Sequence, residues 1–249
     1  MRLGSILDYL LKISTKHKAG YLVLIDPDRQ PTDDCIRLAH QAEEAGVDAL
    51  LLGGSFLTAE LNPIAEALQT KTSIPLILFP GDAMQVSRHA DAILYLSLIS
   101  GRNANFLIGE QVKAAPLIRR HGIEAIPTGY MLIDGGCQTS IGFMSGTIPL
   151  PRDKFDIAWA HALAAQYLGM RLIYLEAGSG ANLPVPDLMI TAIREQISLP
   201  LIVGGGIKTP EIAVEKVKAG ADFIVTGTVV ECGCTDNSLM RAFADAIHG

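Results

Sequence analysis

The most informative stretch of the chain is residues 172–180, which read LIYLEAGSG. An apolar run rich in strand-forming residues stops there at Glu176, and a short glycine-rich turn follows it. The run is typical of a buried β-strand. Its end brings a carboxylate, a hydroxyl and several unshielded backbone N–H groups within a few residues of one another. Because glycine lets backbone N–H groups approach an anion closely, this turn is suited to a phosphate.

Two later segments end in the same way. Residues 201–206 read LIVGGG and residues 223–228 read FIVTGT, so three consecutive candidate strands end in glycine-rich turns. A single cluster of this kind is more often only a tight turn. Three clusters on the last three strands favour a binding site, because a phosphate site after strands seven and eight recurs in (β/α)8 barrels. The pattern predicts one phosphate site built from three turns.

Short apolar runs alternate with amphipathic segments along the whole chain. The predicted strands are residues 21–27, 49–54, 75–79, 92–97, 124–128, 172–176, 200–204 and 223–226. The helical patterns are clearest at residues 32–45, 111–121, 154–168, 187–197 and 209–219. The last of these opens with Thr209, a favoured helix N-cap residue, and Pro210, which is favoured at the first helical position.

This alternation predicts a (β/α)8 TIM barrel, an α/β fold, in a single domain over residues 1–249. Only residues 82–91 separate the third and fourth strands, so we expect the third helix to be short or absent. A doubly wound sheet is the alternative fold, but the strand number and order are less natural for it.

Composition fits such a domain without identifying its function. A hydrophobic share of 49% suits a sheet that is buried on both faces, and a net charge of −6 argues against nucleic acid as a partner. The cysteines Cys35, Cys137, Cys232 and Cys234 form neither a CxxC pair nor a disulfide framework, so we expect a cytoplasmic protein. Residues 1–18 carry too many charges for a secretory signal, and no apolar run approaches the ~20 residues of a membrane span.

Polar side chains follow the first, second and sixth predicted strands, where a barrel gathers its functional groups. Asp26 ends the first strand, and Ser55 follows the second. Together they could supply part of a Mg²⁺ shell that water and phosphate oxygens complete. Each alone is as readily a loop or capping residue, whereas Glu176 at the end of so apolar a strand needs a partner. We expect a metal–diphosphate site on one side of the mouth and the phosphate turns across from it.

These motifs together resemble the geranylgeranylglyceryl phosphate synthase family, which includes the bacterial heptaprenylglyceryl phosphate synthases. The resemblance is carried by residues 174–180 (YLEAGSG), 203–207 (VGGGI) and 226–228 (TGT), with residues 26–28 (DPD) and 53–55 (GGS). It extends over essentially the whole chain. Residues 174–180 are its specific part, whereas the glycine triplet alone would not be.

The resemblance implies a modified TIM barrel that joins sn-glycerol 1-phosphate to a polyprenyl diphosphate, most readily geranylgeranyl diphosphate, and releases diphosphate. It implies Mg²⁺ as the cofactor, with Asp26 and Ser55 as its ligands, and a homo-oligomer, either a hexamer or a dimer. The implied binding residues for glycerol 1-phosphate are Tyr174, Leu175, Glu176, Ala177, Gly178, Ser179, Gly180, Gly205, Gly206, Gly227 and Thr228.

The residues themselves agree with this chemistry. Glu176 is the candidate to orient the acceptor hydroxyl and accept its proton. The chain contains no Asp-Asp-x-x-Asp string, which argues against the all-helical prenyl synthases, so the barrel needs a separate apolar groove for the prenyl tail. The alternatives are a heptaprenylglyceryl phosphate synthase, a barrel synthase of the tryptophan or thiamin pathway, and a non-catalytic binder of phosphate or prenyl lipid.

Overall fold

The computed structural model describes residues 5–231 and 237–249. Its strands close into a parallel barrel in which each strand pairs with its neighbours along the chain and the last pairs with the first. The strands are β1 (Gly20–Ile25), β2 (Ala49–Leu52), β3 (Leu76–Leu78), β4 (Ala92–Leu98), β5 (Glu124–Leu132), β6 (Leu172–Glu176), β7 (Leu201–Gly204) and β8 (Phe223–Thr226). The predicted barrel is confirmed, and the doubly wound alternative is excluded because that sheet would be open.

Helices surround the barrel. They are α1 (Ile6–Lys16), α2 (Thr32–Ala45), α3 (Leu61–Lys71), α4 (Glu110–His121), α5 (Ser140–Ser145), α6 (Phe155–Tyr167), α7 (Asp187–Arg194), α8 (Pro210–Ala219), α9 (Thr228–Glu231) and α10 (Ser238–His248), with a π-helical turn at Asn105–Gly109 before α4. No helix lies between β3 and β4, as the short spacing predicted. Within the described part of the chain, no helix is long and apolar enough to cross a membrane.

Alternation along the strands divides the apolar residues into two cores. Inward-facing residues such as Leu22, Leu51 and Ile202 form the core inside the barrel. Their neighbours Val23, Leu50 and Val203 face the helices and form the outer core. Because both faces of the sheet are buried, the strands are apolar throughout, which explains why they stood out in the sequence.

The N-terminal helix α1 closes the bottom of the barrel. Ile6, Leu7 and Leu10 are buried in the inner core. The carboxylate of Glu124, at the start of β5, accepts hydrogen bonds from the Ser5 hydroxyl at 2.7 Å and from the backbone N–H of Ile6. This plug leaves the opposite end, where the carboxyl ends of the strands lie, as the open mouth.

Three local features differ from the sequence prediction. Strand β5 continues to Leu132, four residues beyond the predicted end, because it pairs with β4 on one side and β6 on the other. Helices α1 and α3 were not among the clearest patterns in the sequence, yet both form. Cys232 and Cys234 lie outside the described residues, and Cys35 and Cys137 are free thiols.

Candidate active site

A cavity of about 590 Å³ opens at the mouth of the barrel. This mouth cavity is in the size range of small-molecule sites. It is lined by most of the residues that the sequence singled out: Asp26, Ser55, Tyr174, Glu176, Gly178, Ser179, Gly180, Gly205, Gly206, Gly227 and Thr228. Leu175 and Ala177 are the exceptions, because strand alternation turns their side chains into the outer core. Only their backbone atoms could serve a ligand.

The three glycine-rich turns meet around the end of β6. Gly205 has a φ of +81° and a Cβ placed on it would lie 2.3 Å from Oε1 of Glu176 and 2.6 Å from the Gly178 nitrogen. Any side chain there would collide with the turn after β6, so only glycine fits this approach. Gly227 is different, since its φ is not left-handed and a Cβ there would first meet Leu24 at 3.4 Å. The predicted assembly of three turns at one site is present.

Glu176 is buried at this junction, with 6% of its surface exposed. Its Oε1 accepts a hydrogen bond from the backbone N–H of Gly178 at 2.6 Å, which is the partner that its burial requires. Burial raises the pKa of Glu176 to about 7, against the opposing effect of the Gly178 N–H and the Tyr174 hydroxyl. A carboxylate that exchanges a proton near neutral pH is suited to general acid–base chemistry.

Aromatic rings form the wall beside Glu176. Tyr174 stacks on Phe79 with ring centroids 5.1 Å apart and meets Tyr130 edge-on at 5.5 Å. The Tyr174 hydroxyl is buried and has no hydrogen-bond partner at bonding geometry among the described residues, although it is close enough to Glu176 to influence its pKa. Because an orphaned buried hydroxyl is costly, it marks a place for a polar ligand atom.

Asp26 lies directly beside the phosphate turns and not across from them. Because closure pairs β1 with β8, the Asp26 backbone N–H donates to Oε1 of Glu231, in α9 after β8, at 3.0 Å. Arg29 then spans from Asp26 to Ser179 and Thr228. The two sets of candidate residues were expected on opposite sides of the mouth, but Arg29 connects Asp26 directly to the glycine-rich turns.

Arg29 and Glu231 are two polar residues of the cavity to which the sequence assigned no role. Both line the mouth cavity, and Nη1 of Arg29 lies 3.4 Å from Oε2 of Glu231. The sequence signal for Arg29 was its position, because it is a basic residue three positions after Asp26, at the end of a strand. Its partners could not be identified without knowing that β1 closes on β8.

The surroundings of Asp26 are compatible with a Mg²⁺ ion held jointly with a ligand. A Cβ on Gly54 would lie 3.5 Å from Oδ1 of Asp26, which places the residue before Ser55 against the carboxylate. Carboxylate and hydroxyl oxygens are donors that Mg²⁺ accepts, and it commonly keeps water and substrate phosphate as its other ligands. No cluster of three or more metal-binding side chains is found among residues 5–231 and 237–249. A substrate would have to complete the shell.

A second, apolar pocket of about 70 Å³ adjoins the mouth cavity. The two share Gly54, Ser55, Phe79, Tyr130 and Ile141. The apolar pocket is lined further by Val86, Leu94, Leu96, Leu98, Phe106 and Ala114. It lies next to β4, in the place that a helix between β3 and β4 would occupy in a regular barrel. The sequence predicted an apolar groove for a prenyl tail without locating it, and this pocket is an apolar cavity that adjoins the candidate site.

Comparison with known proteins finds one family model that covers nearly the whole chain, the PcrB family, over residues 12–247. Among curated relatives, the geranylgeranylglyceryl phosphate synthase of Chitinophaga pinensis is 47% identical over 92% of this chain and 90% of its own. The enzyme of that name from Methanosphaera stadtmanae is 43% identical over 98% of this chain and 100% of its own.

A solved structure similar to this chain carries the same enzyme name as these relatives. The (S)-3-O-geranylgeranylglyceryl phosphate synthase of Thermoplasma acidophilum, in complex with its substrate sn-glycerol-1-phosphate, has a TM-score of 0.94 at 35% identity and covers 99% of both chains. Thiamine phosphate pyrophosphorylase from Pyrococcus furiosus has a TM-score of 0.58 at 14% identity, which shows a shared fold alone. The relatives named here that are similar in sequence share one activity. The fold is also found in a protein of different activity.

Proposed function

Because this chain belongs to the PcrB family, we propose that it is a geranylgeranylglyceryl phosphate synthase, a prenyltransferase that joins sn-glycerol 1-phosphate to geranylgeranyl diphosphate. The observation that carries the proposal is the buried carboxylate of Glu176 among three glycine-rich turns at the mouth. That arrangement provides a base and a phosphate site within one cavity. An apolar pocket opens from the same cavity.

The acceptor binds through its phosphate at the three turns. Gly178, Gly180, Gly205 and Gly206 hold left-handed conformations that expose the backbone, and the hydroxyls of Ser179 and Thr228 lie 3.2 Å apart among them. Fixing the phosphate there anchors the glycerol, so that its hydroxyls extend toward Glu176 and Tyr174. Anchoring of this kind turns the attack into an effectively intramolecular step.

Glu176 accepts the proton that the reaction releases. The oxygen of the acceptor hydroxyl forms the ether bond to C1 of the prenyl chain as the bond from C1 to the diphosphate breaks. The hydroxyl proton goes to the Glu176 carboxylate, and the electron pair of the broken bond leaves with diphosphate. A base with a pKa of about 7 can take up this proton and return it to water near neutral pH.

Asp26 and Ser55 would hold Mg²⁺ for the diphosphate of the donor. A divalent cation there supplies charge neutralisation for the leaving group. Asp26 already uses both carboxylate oxygens, since Oδ1 accepts the Asp28 N–H at 3.1 Å and Oδ2 accepts Nε of Arg29 at 3.2 Å. A metal ion at Asp26 would compete with Arg29 for these oxygens.

The prenyl chain enters the apolar pocket beside β4. Phe79 and Tyr130 border both cavities, so a diphosphate at Asp26 and an allylic carbon near Glu176 direct the tail toward Leu94, Leu96 and Phe106. The wall offers apolar carbon and few polar groups, which suits a hydrocarbon tail. The proposed donor is geranylgeranyl diphosphate, and the longer heptaprenyl diphosphate is the alternative.

We also propose that the protein acts in the cytoplasm as a homo-oligomer, either a dimer or a hexamer. Support comes from large apolar side chains that are exposed in the single chain, among them Phe143 at 71%, Ile148 at 87% and Leu168 at 75%. Exposed apolar patches commonly mark association surfaces. Light scattering coupled to gel filtration measures the assembly, and a monomeric mass at micromolar concentration would contradict the proposal.

The experiment that tests the function is incubation of the pure protein with radiolabelled sn-glycerol 1-phosphate and prenyl diphosphates of several lengths. We expect an ether-linked product that extracts into organic solvent, formed fastest with geranylgeranyl diphosphate. Faster use of heptaprenyl diphosphate would assign the alternative donor. Binding of both compounds without product would indicate a lipid or phosphate binder, and neither binding nor product would point to another barrel synthase.

A further inference from the structure

Arg29 reaches from the loop after β1 into the mouth cavity, where it contacts two kinds of group. Its Nη2 donates to the Ser179 hydroxyl at 2.6 Å, and its Nη1 donates to the Thr228 hydroxyl at 3.1 Å. Its Nε donates to Asp26 at 3.2 Å, and Nη1 lies 3.4 Å from Glu231. A single guanidinium thus joins the phosphate turns to the carboxylates of the candidate metal site.

The hydroxyl side of this arrangement is suited to an anion. Ser179 and Thr228 belong to two of the three glycine-rich turns and are also bonded to each other at 3.2 Å. Both are neutral, whereas the carboxylates of Asp26 and Glu231 balance the charge of Arg29 from its other side. A planar guanidinium offers parallel N–H donors that match two phosphate oxygens, and the bonds are charge-assisted.

The carboxylate side also holds Arg29. Asp26 and Glu231 approach each other through the Asp26 N–H, which donates to Glu231 at 3.0 Å, and the Glu231 side chain is only 6% exposed. Arg29 is the cation that the structure shows in contact with both. A divalent ion at Asp26 would take over part of that neutralisation and release the guanidinium toward the hydroxyl side.

We propose that Arg29 binds the phosphate of the acceptor directly and couples the two substrates, because it leaves Asp26 as the metal–diphosphate arrives. The inference rests on the proposed function and adds a residue to its acceptor site. It predicts effects of opposite sign on the two substrates. Without Arg29, the acceptor loses a phosphate ligand, whereas Asp26 loses a competitor for the metal.

The test is calorimetric titration of sn-glycerol 1-phosphate into wild-type protein and the variant Arg29→Met, with EDTA present so that no metal contributes. We expect affinity for glycerol 1-phosphate to fall roughly 10- to 100-fold, the range for loss of hydrogen bonds from a charged donor. Arg29→Lys keeps the charge but loses the fork, and we expect an intermediate affinity. Titration of Mg²⁺ with inorganic diphosphate should show tighter binding by Arg29→Met, and unchanged binding would contradict the coupling of the two substrates.

The matched control is Arg37→Met. Arg37 pairs with Asp34 three residues earlier at 2.7 Å, the same spacing as Arg29 and Asp26, but it lies on the exposed surface of α2. This control should bind both ligands like the wild type. Equal acceptor affinity in Arg29→Met and wild type would overturn the inference and leave the function intact. Weaker binding of both ligands would show a general defect of the site and also overturn it, and wild-type protein that binds no glycerol 1-phosphate would overturn both.

Discussion

The backbone N–H of Gly178 donates to Oε1 of Glu176 at 2.6 Å, within a turn of only three residues. This bond joins the carboxyl group that we propose as the base to the loop that carries Ser179 and Gly180. A phosphate bound by the loop and a proton accepted by the carboxylate therefore depend on one local geometry. Gly205 packs against both, since a Cβ there would lie within 2.6 Å of either residue.

The first prediction is a pH profile set by Glu176. With a pKa of about 7, the carboxylate is protonated below that pH and cannot act as a base. We expect kcat/KM to fall about tenfold per pH unit on the acid side of about pH 7. Initial rates over pH 5–9 at saturating Mg²⁺ measure this. A rate that stays flat down to pH 5 would mean that no group of this pKa controls the step.

The second prediction concerns stability. The pKa of Glu176 is raised from 4.5 to about 7 on folding, so the folded state binds the extra proton between these values. The associated stability is full below about pH 4.5 and is lost as pH rises through about 7. At roughly 1.4 kcal/mol per pKa unit, the loss at pH 8 is on the order of 3 kcal/mol.

Glu176→Gln should therefore melt above the wild type at pH 8, with a difference that shrinks toward pH 5. Differential scanning calorimetry of both proteins at the two pH values measures this. Equal melting temperatures at pH 8, or a difference in melting temperature that widens toward acid pH, would show that burial does not raise the pKa of Glu176.

The third prediction is that Asp26 is needed for the metal and not for the acceptor. Asp26→Asn removes the charge and keeps one acceptor oxygen, which can serve either the Asp28 N–H or Nε of Arg29 but not both. We expect a loss of Mg²⁺-dependent diphosphate binding with glycerol 1-phosphate affinity largely unchanged. Asp34→Asn is the control, because Asp34 forms the same i,i+3 pair with Arg37 on the surface. Full turnover by Asp26→Asn would remove Asp26 from the mechanism.

The fourth prediction separates the glycine turns. Gly227→Val changes no left-handed residue and meets Leu24 only at the edge of ordinary contact, so the variant should fold. Its side chain would crowd the mouth cavity beside Thr228, and we expect weaker binding of glycerol 1-phosphate. Gly205→Val should instead disturb the fold around Glu176. Unchanged acceptor affinity of folded Gly227→Val, measured by calorimetry, would contradict the proposed phosphate site.

Local signals in the sequence were sufficient for most of the barrel. The start of α8 was predicted from Thr209 and Pro210, and Thr209 does cap it by accepting the Ile212 N–H. The strands were readable because burial on both faces makes them apolar. The absence of a helix between β3 and β4 was expected because the segment that joins these two strands is short. Each of these depends on residues that are neighbours in sequence.

What the sequence did not predict depends on closure and packing. The contacts of Arg29 join residues 29, 179 and 228, which meet only because β8 pairs with β1. The apolar pocket beside β4 is assembled from several elements and the gap left by a missing helix, so no one segment encodes it. The side chains of Leu175 and Ala177 face the outer core and not the cavity. Predicting this requires knowing which residues of β6 point into the barrel.

The most direct test of the account is the rate of ether formation by Glu176→Gln with saturating glycerol 1-phosphate, geranylgeranyl diphosphate and Mg²⁺. The amide keeps the shape of the side chain but cannot take the proton. We predict a rate roughly 10²–10⁴-fold below the wild type, the usual contribution of a general base, with Mg²⁺–diphosphate affinity little changed. A near-normal rate at every metal concentration would contradict the account, as would loss of metal affinity with a normal rate at saturating metal.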